Sequence, residues 1–404
     1  MLPACRTDGE VFSIPQWAVQ PEEVEGFLRE LRGFHAAFRA CFARSEPREH
    51  FLRYMVGQFR TLERQSIEPI ALQGQGGNIR AMQRCISEVV WDEEQMLQTY
   101  HSLGHDDMGD PAGVLICDET GFPKKGKDSV GVARQYCPGL GTVANCQVGV
   151  CAAYASRHGY ALGDTRLLLP EPWSTEAYAV RRAKCQVPEA LPFQTKPQLA
   201  VAMLQDIQQA GVLPFKYVVA DCLYGHSPDF LRAIEACPGT IYFVSIPSDT
   251  RCWLQGPVPE HKRYMDKGEA RSKRLVAKTE KAPIPVEAVA KSLHACFWYQ
   301  RTVAEGTKGP MEYEFTKRQV TLCQDGQPDK TVWLVMKRTL GEHPSYWYSI
   351  SNAPVSTRLP LFIWLSGIRW AIEQCFEEAK TELGMDQYEL RRYPGWHHHM
   401  LTCM

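Results

Sequence analysis

The sequence predicts an α/β fold, a sheet covered by helices, preceded by a helical region. Three observations predict it. Strand-like runs follow one another from Val114 onward, helices and strands then alternate to Ile246, and the stretch before residue 110 carries helical periodicity. The chain of 404 residues is long enough for two or three domains. Its 44% hydrophobic and 23% charged content is ordinary for a globular protein. The formal net charge of −1 means that any affinity for polyanions must come from local patches.

Four stretches emerge in order. Residues 1–110 read as an N-terminal helical domain. Leu52, Met55, Val56, Phe59 and Leu62 recur at helical spacing, with Arg53, Arg60 and Arg64 opposite. Every basic side chain before Lys124, histidine apart, is an arginine, whose planar fork suits phosphate oxygens. Trp91-Asp92-Glu93-Glu94 looks like a capped helix start.

Residues 111–249 read as the first part of a core. Val114 to Cys117 is an apolar run ending at Asp118. Ser129–Tyr136, Asn145–Ser156 and Tyr160–Leu169 are strand candidates, and the first two flank a Pro138–Gly141 turn. Ser174 starts a helix, and Thr195 caps another. Tyr217 to Ala220 is a second buried-strand pattern ending in a carboxylate, Asp221. Ser227-Pro228-Asp229 opens a helix before the strand Ile241–Ile246. Residues 250–352 form a β-rich insertion with alternating runs at Arg318–Leu322 and Thr331–Met336. Its first part holds Lys262, Arg263, Lys267, Arg271, Lys273, Arg274, Lys278 and Lys281 against Asp266, Glu269 and Glu280. Such a basic run attracts a phosphate backbone, and equally fits a solvated loop.

Residues 353–404 complete the core. From Leu359 one helix is expected, placing Arg369, Glu373, Phe376 and Lys380 on a single face. Its many apolar residues suggest burial, where charges need partners, a metal or a phosphate.

Asp118, Asp221 and Glu373 are therefore the candidate catalytic set. Each acid alone could be a cap, but together they offer the hard oxygen ligands that divalent magnesium takes. Two ions about 4 Å apart serve in-line displacement at phosphorus. Glu119 should point to the opposite face and is excluded. Cys117, Cys222 and Cys375 read as small core residues, since thiols are poor magnesium ligands. His397-His398-His399 reads as ordinary sequence near a helix start. The 15 cysteines include no Cys-x-x-Cys pair, so reduced thiols of a cytoplasmic protein are expected. No signal peptide is expected, and no 18-residue apolar run suggests a membrane span.

Asp118-Glu119-Thr120-Gly121-Phe122 with Lys124-Lys125-Gly126, Ala220-Asp221-Cys222-Leu223-Tyr224-Gly225, and Ile368-Arg369-Trp370-Ala371-Ile372-Glu373 extended to Lys380 carry a resemblance. The chain resembles the DDE transposases of bacterial insertion sequences, in the branch with a tyrosine–arginine–glutamate–lysine signature. The resemblance implies an RNase H-like core, with a mostly β insertion before the glutamate helix. It implies that Asp118, Asp221 and Glu373 hold two Mg²⁺ ions, for which Mn²⁺ can substitute. Arg369 and Lys380 would hold DNA phosphates, with Lys124, Lys125, Arg271, Lys273 and Arg274 as further DNA contacts. Hydrolysis at the element's ends would be followed by joining of the freed 3′-hydroxyl to target DNA. Double-stranded DNA, as terminal inverted repeats and target, is the expected partner. The protein is expected to act as a homodimer on DNA, associated with the nucleoid. An inactive DNA-binding descendant and an RNase H-like nuclease without strand transfer are the alternatives. Ser366 stands where the signature has tyrosine, and the apolar pattern at His399–Met404 stops abruptly, as a truncated C-terminus would.

Overall fold

The computed structural model describes residues 21–73, 78–256, 260–266, 269–275, 282–306 and 309–404. These residues are divided between two units. The first takes residues up to Lys216 together with Trp370–Met404, and the second takes Tyr217–Arg369.

The first unit begins with helices α1 (Pro21–Ala37), α2 (Ser45–Gln58), α3 (Ile67–Gln73), α4 (Ile79–Ser87) and α5 (Glu93–Met108). Asn78 caps α4 by accepting the Ala81 N–H, and Asp92 caps α5 by accepting that of Gln95. Phe42, Phe51 and Trp91 form a ring cluster with centroids 5.3 Å apart pairwise. The helix expected to continue past Phe59 stops at Gln58, and Phe59 is 50% exposed. The buried face of α2 instead carries Tyr54 and Gln58, whose polar tips bond to His399 and the Leu383 carbonyl. These partners lie more than 300 positions away, which helical periodicity does not register.

Four strands follow: β1 (Val114–Pro123), β2 (Ala133–Cys137), β3 (Thr142–Ser156) and β4 (Gly159–Leu167). All of β1, β2 and β4 pair antiparallel with β3. From Cys146 to Ser156 every residue of β3 is buried, as expected of a central strand covered on both faces. Ser174 ends a 3-10 turn instead of starting a helix, and α6 (Ala179–Lys184) forms farther on. Then α7 (Lys196–Ala210) opens with a complete Thr195/Gln198 capping box and packs on β3.

The second unit starts with β5 (Tyr217–Ala220), the one-turn helix α8 (Cys222–Gly225), α9 (Pro228–Glu235) and β6 (Ile241–Ile246). Strand β5 runs parallel to β6. After β7 (Arg251–Trp253) comes a separate hairpin, β8 (Glu260–Asp266) with β9 (Glu269–Leu275), over much of the basic run. Next are β10 (Ile284–Pro285), α10 (Val286–Ser292), β11 (Tyr299–Gly306), β12 (Gly309–Gln324), β13 (Gln327–Arg338) and β14 (Tyr346–Ser351). The sheet order within this unit is β10-β7-β12-β13-β14-β6-β5, with β11 also on β12. One parallel pair among antiparallel ones makes the sheet mixed, as the α/β reading expects.

The long C-terminal helix is two helices. After α11 (Leu359–Ile368), Arg369 is a turn residue, and α12 (Trp370–Thr381) follows. Ser366-Gly367 just before the break is a pair at which helices commonly kink. Helix α11 is apolar nearly all round and buries Phe362 against Phe243 and Trp333. In the first unit α12 packs on β1, β3 and β4, and α13 (Tyr393–Thr402) packs on α4 and β4.

Candidate active site

Asp118 was expected to end its strand, but β1 continues five residues further. Its register with β3 runs unbroken from Val114 opposite Ala155 to Pro123 opposite Cys146. Asp118 thus sits mid-strand opposite Cys151, with its Oδ1 accepting the Glu119 N–H at 2.9 Å. Alternation sends Glu119 to the other face, where it meets the Lys196 ammonium of α7 at 2.7 Å. The neighbouring motif residues hold the strand. A Cβ on Gly121 would lie 2.6 Å from the Cys137 sulfur, so only glycine fits there. Phe122 is fully buried against Tyr388 and Trp396. Tyr388 donates its hydroxyl to Gln147 of β3 and accepts the Trp396 indole N–H. Truncating Phe122 to alanine would cost about 3–5 kcal/mol.

Helix α12 covers that face of β1 and β3. It brings Glu373, which is solvent-exposed in its first turn, and Lys380 in its last. The Lys380 ammonium lies 5.8 Å from the Phe122 ring centroid and close to Gly139. Burial lowers its pKa, partly offset by Asp386, Cys151 and Cys137. Cys151, opposite Asp118, has its thiol pushed up to about 12 by burial, with Asp118 raising it and Lys380 lowering it. Asp118 and Lys380 therefore act on one intervening side chain of one sheet face. The first unit brings together Asp118, the Glu373 helix and Lys380.

Asp221 belongs to the second unit. It follows the wholly buried β5 and caps α8 through Oδ1, which accepts the Leu223 N–H at 2.9 Å. Behind it Tyr224 is buried against Phe230. A Cβ on Gly225 would lie 2.0 Å from the Ser245 carbonyl oxygen, which explains the glycine closing that motif. Arg369, placed by the sequence on one helix face with Glu373, is instead the C-cap of α11. It stands near Lys337, whose pKa is lowered by burial and then by Arg369. The Lys337 ammonium also lies 4.7 and 4.9 Å from the ring centroids of Tyr313 and Trp347.

Lys124 serves a structural purpose. Its ammonium sits 3.4 Å over the Tyr388 ring and donates to the Tyr388 carbonyl at 3.1 Å. Burial lowers its pKa to about 8. Lys125 is exposed. Arg271, Lys273 and Arg274 fall on β9, paired in backbone register with Tyr264, Lys262 and His261, and their side chains lie outside the described residues. So do Lys267, Lys278 and Lys281. The described cysteines are all free thiols. The triple histidine, read as ordinary sequence near a helix start, lies within α13, where His398 and His399 are buried.

Carboxylate oxygens of Asp118, Asp221 and Glu373 are chemically suited to a divalent ion such as Mg²⁺. Among the described residues no group of three or more His, Cys, Asp or Glu side chains is arranged to hold a metal. The fit is thus one of donor chemistry and not of a preformed cage. The sequence did not point to Cys151 or Tyr388, whose importance comes from cross-strand and long-range packing.

A family model described as DDE superfamily endonuclease matches residues 37–310, a stretch containing Asp118 and Asp221. The chain is 24% identical over 377 residues to a protein from Microchaete diplosiphon described as a probable transposase for insertion sequence element IS701. The match covers 93% of this chain and 86% of that protein. Among solved structures, the piggyBac transposase synaptic complex with hairpin DNA matches with a TM-score of 0.43 and 8% identity. That match covers 89% of this chain and 65% of the piggyBac chain, so the present chain spans about two thirds of it. Among the described residues, no helix is long and apolar enough to cross a membrane.

Proposed function

We propose a function from one premise: this chain belongs to the DDE superfamily endonuclease family. It is a DNA transposase that cuts the ends of an insertion sequence and joins them to target DNA. The observation that carries this reading is the shared face of the first unit. There α12, which bears Glu373 and Lys380, packs on β1, the strand that carries Asp118. The IS701 relative, aligned over most of both chains, supports it.

In this reading Asp118, Asp221 and Glu373 hold two divalent ions, which when bound acidify water and neutralise charge developing at phosphorus. Lys380, half-buried beside the Phe122 ring, places a cation where a scissile phosphate can lie. Arg369 and the basic β8–β9 hairpin hold flanking phosphates, while residues 1–110 bind the terminal repeats. Water attacks the phosphodiester at the element's end and releases a 3′-hydroxyl. That hydroxyl then attacks a target phosphodiester and expels a second 3′-hydroxyl, so bonds are exchanged one for one. Two ends engaged together require a dimer on DNA.

The test uses labelled DNA carrying the element's ends, with Mg²⁺ or Mn²⁺, for the wild type and Asp221→Ala. Metal-dependent nicking that the variant loses, followed by joined products, supports the proposal. Nicking without joining indicates a plain nuclease, and binding without nicking in either protein indicates an inactive descendant.

A further inference from the structure

The three-helix group α2, α3 and α4 of the first unit holds a surface that the metal chemistry does not use. The helices pack on one another, and α3 and α4 are separated by a short glycine-rich stretch with Gly74, Gly76 and Gly77 in its sequence. Helix α4 is sharply two-faced. Met82, Cys85 and Ile86 are buried, while Arg80, Gln83 and Arg84 are exposed at i, i+3 and i+4.

Its inner face is pinned. The Ile86 carbonyl bonds to His398 at 2.8 Å, and the Cys85 carbonyl accepts the Trp91 indole N–H at 3.1 Å. A Cβ on Gly395 of α13 would sit 3.2 Å from the Ser87 Cα. The outer face borders a groove of about 520 Å³ whose other side includes Arg391 and Arg392. Glu88 serves both Arg84, at 3.7 Å, and Arg392, at 3.0 Å, so one carboxylate stands between two guanidinium groups.

We infer that α4 is a DNA-reading helix. Its Arg80–Gln83–Arg84 face enters the major groove of duplex DNA, and Arg391 and Arg392 grip the adjoining backbone. The inference rests on the proposal that this protein acts on DNA, and adds which residues set its sequence preference. With its side chains an α-helix is about 10–12 Å across, a diameter that a major groove about 12 Å wide admits. Arginine forks match guanine O6 and N7, and a glutamine amide matches adenine N6 and N7. Rigid seating of the inner face keeps those side chains in register with the bases. A phosphate oxygen can take the place of Glu88 beside Arg392, which releases Arg84 toward the bases.

The full chain is presented with a pool of duplexes carrying a randomised central block, and bound duplexes are sequenced. The wild type is expected to enrich a motif. Gln83→Ala should lose preference at one position by on the order of 10-fold, and Gln83→Glu should shift that position from adenine toward cytosine. A changed preference cannot come from misfolding. Arg392→Ala should weaken all duplexes alike and lower the salt slope by about one. Glu88→Gln should tighten all of them. Asp221→Ala should enrich the wild-type motif, so loss of cleavage leaves this inference untouched. An unchanged motif in both Gln83 variants, or no motif for the wild type, overturns it.

Discussion

Asp118 and Asp221 both follow runs of buried apolar residues, yet the two units support them differently. Asp118 lies in the middle of a ten-residue strand, locked across to Cys151 and backed by Phe122, Tyr388 and Trp396. Asp221 lies at a strand-to-helix junction and spends one oxygen capping a single turn. The first position sits within long cross-strand pairing, and the second adds a local cap bond to the end of a short buried strand. Two acids proposed for one chemical role therefore need not share a structural one, and substitution can separate the two.

The largest expected effect is on chemistry, where the two positions should behave alike. Asp118→Asn, Asp221→Asn and Glu373→Gln should each bring cleavage of labelled end DNA down to background. Full activity in any one of them would remove that residue from the proposed set.

Acid should next divide the units. His397 and His399, in the first unit, have their pKa lowered to about 4 by burial. His399 bonds to the Tyr54 hydroxyl and the Met385 carbonyl, which suits a neutral ring donating through Nε2. Between about pH 4 and 6.5 the unfolded chain then binds more protons than the folded one. The histidine contribution is fully present above 6.5 and is lost as pH falls toward 4. Among the described residues of the second unit, the histidines with described side chains, His226, His294 and His343, are exposed. Hydrogen exchange at pH 5 should thus show α13 and its neighbours opening before β5 and β6. Simultaneous opening would mean that the histidines do not set acid stability.

A smaller contrast lies in the carboxylates themselves. Asparagine preserves a cap and alanine does not, so Asp221→Ala should be less stable than Asp221→Asn by about 1 kcal/mol. Asp118→Ala and Asp118→Asn should differ less in denaturant melts. A last contrast concerns Lys124, with its pKa near 8 against 10.5 when unfolded. The cost of burying its charge is present below pH 8 and relieved as pH rises to 10.5, so stability should climb across that window. Lys124→Met should flatten the climb in melts taken from pH 8 to 10.5.

Local signals were legible in the sequence. The Thr195, Asp92 and Ser227 caps and the strand Ile241–Ile246 lie where residue chemistry puts them. The misreadings have non-local causes. Helix α2 buries Tyr54 and Gln58 because α13 and the Leu383 carbonyl supply their partners. Strand β1 runs past Asp118 because β3 is long enough to pair with all of it. The single helix expected from Leu359 is two helices with Arg369 between them, because periodicity assumes an unbroken helix. The acids themselves were visible as carboxylates after apolar runs, but the Cys151 and Lys380 neighbourhood of Asp118 required the cross-strand register.

The unit that holds Asp118 is discontinuous in chain order, because Tyr217–Arg369 intervenes before α12 and α13. On a ribosome, β1 and β3 therefore emerge long before the helix that covers them. At typical synthesis speeds the gap is roughly 10–40 s. Throughout that interval the face bearing Phe122 and Cys151 has no lid, and a nascent chain shows an apolar patch to chaperones and to other chains. The lysine–glutamate helix is thus also a late-arriving seal, and the protein's yield in a cell should depend on what shields that face until it arrives.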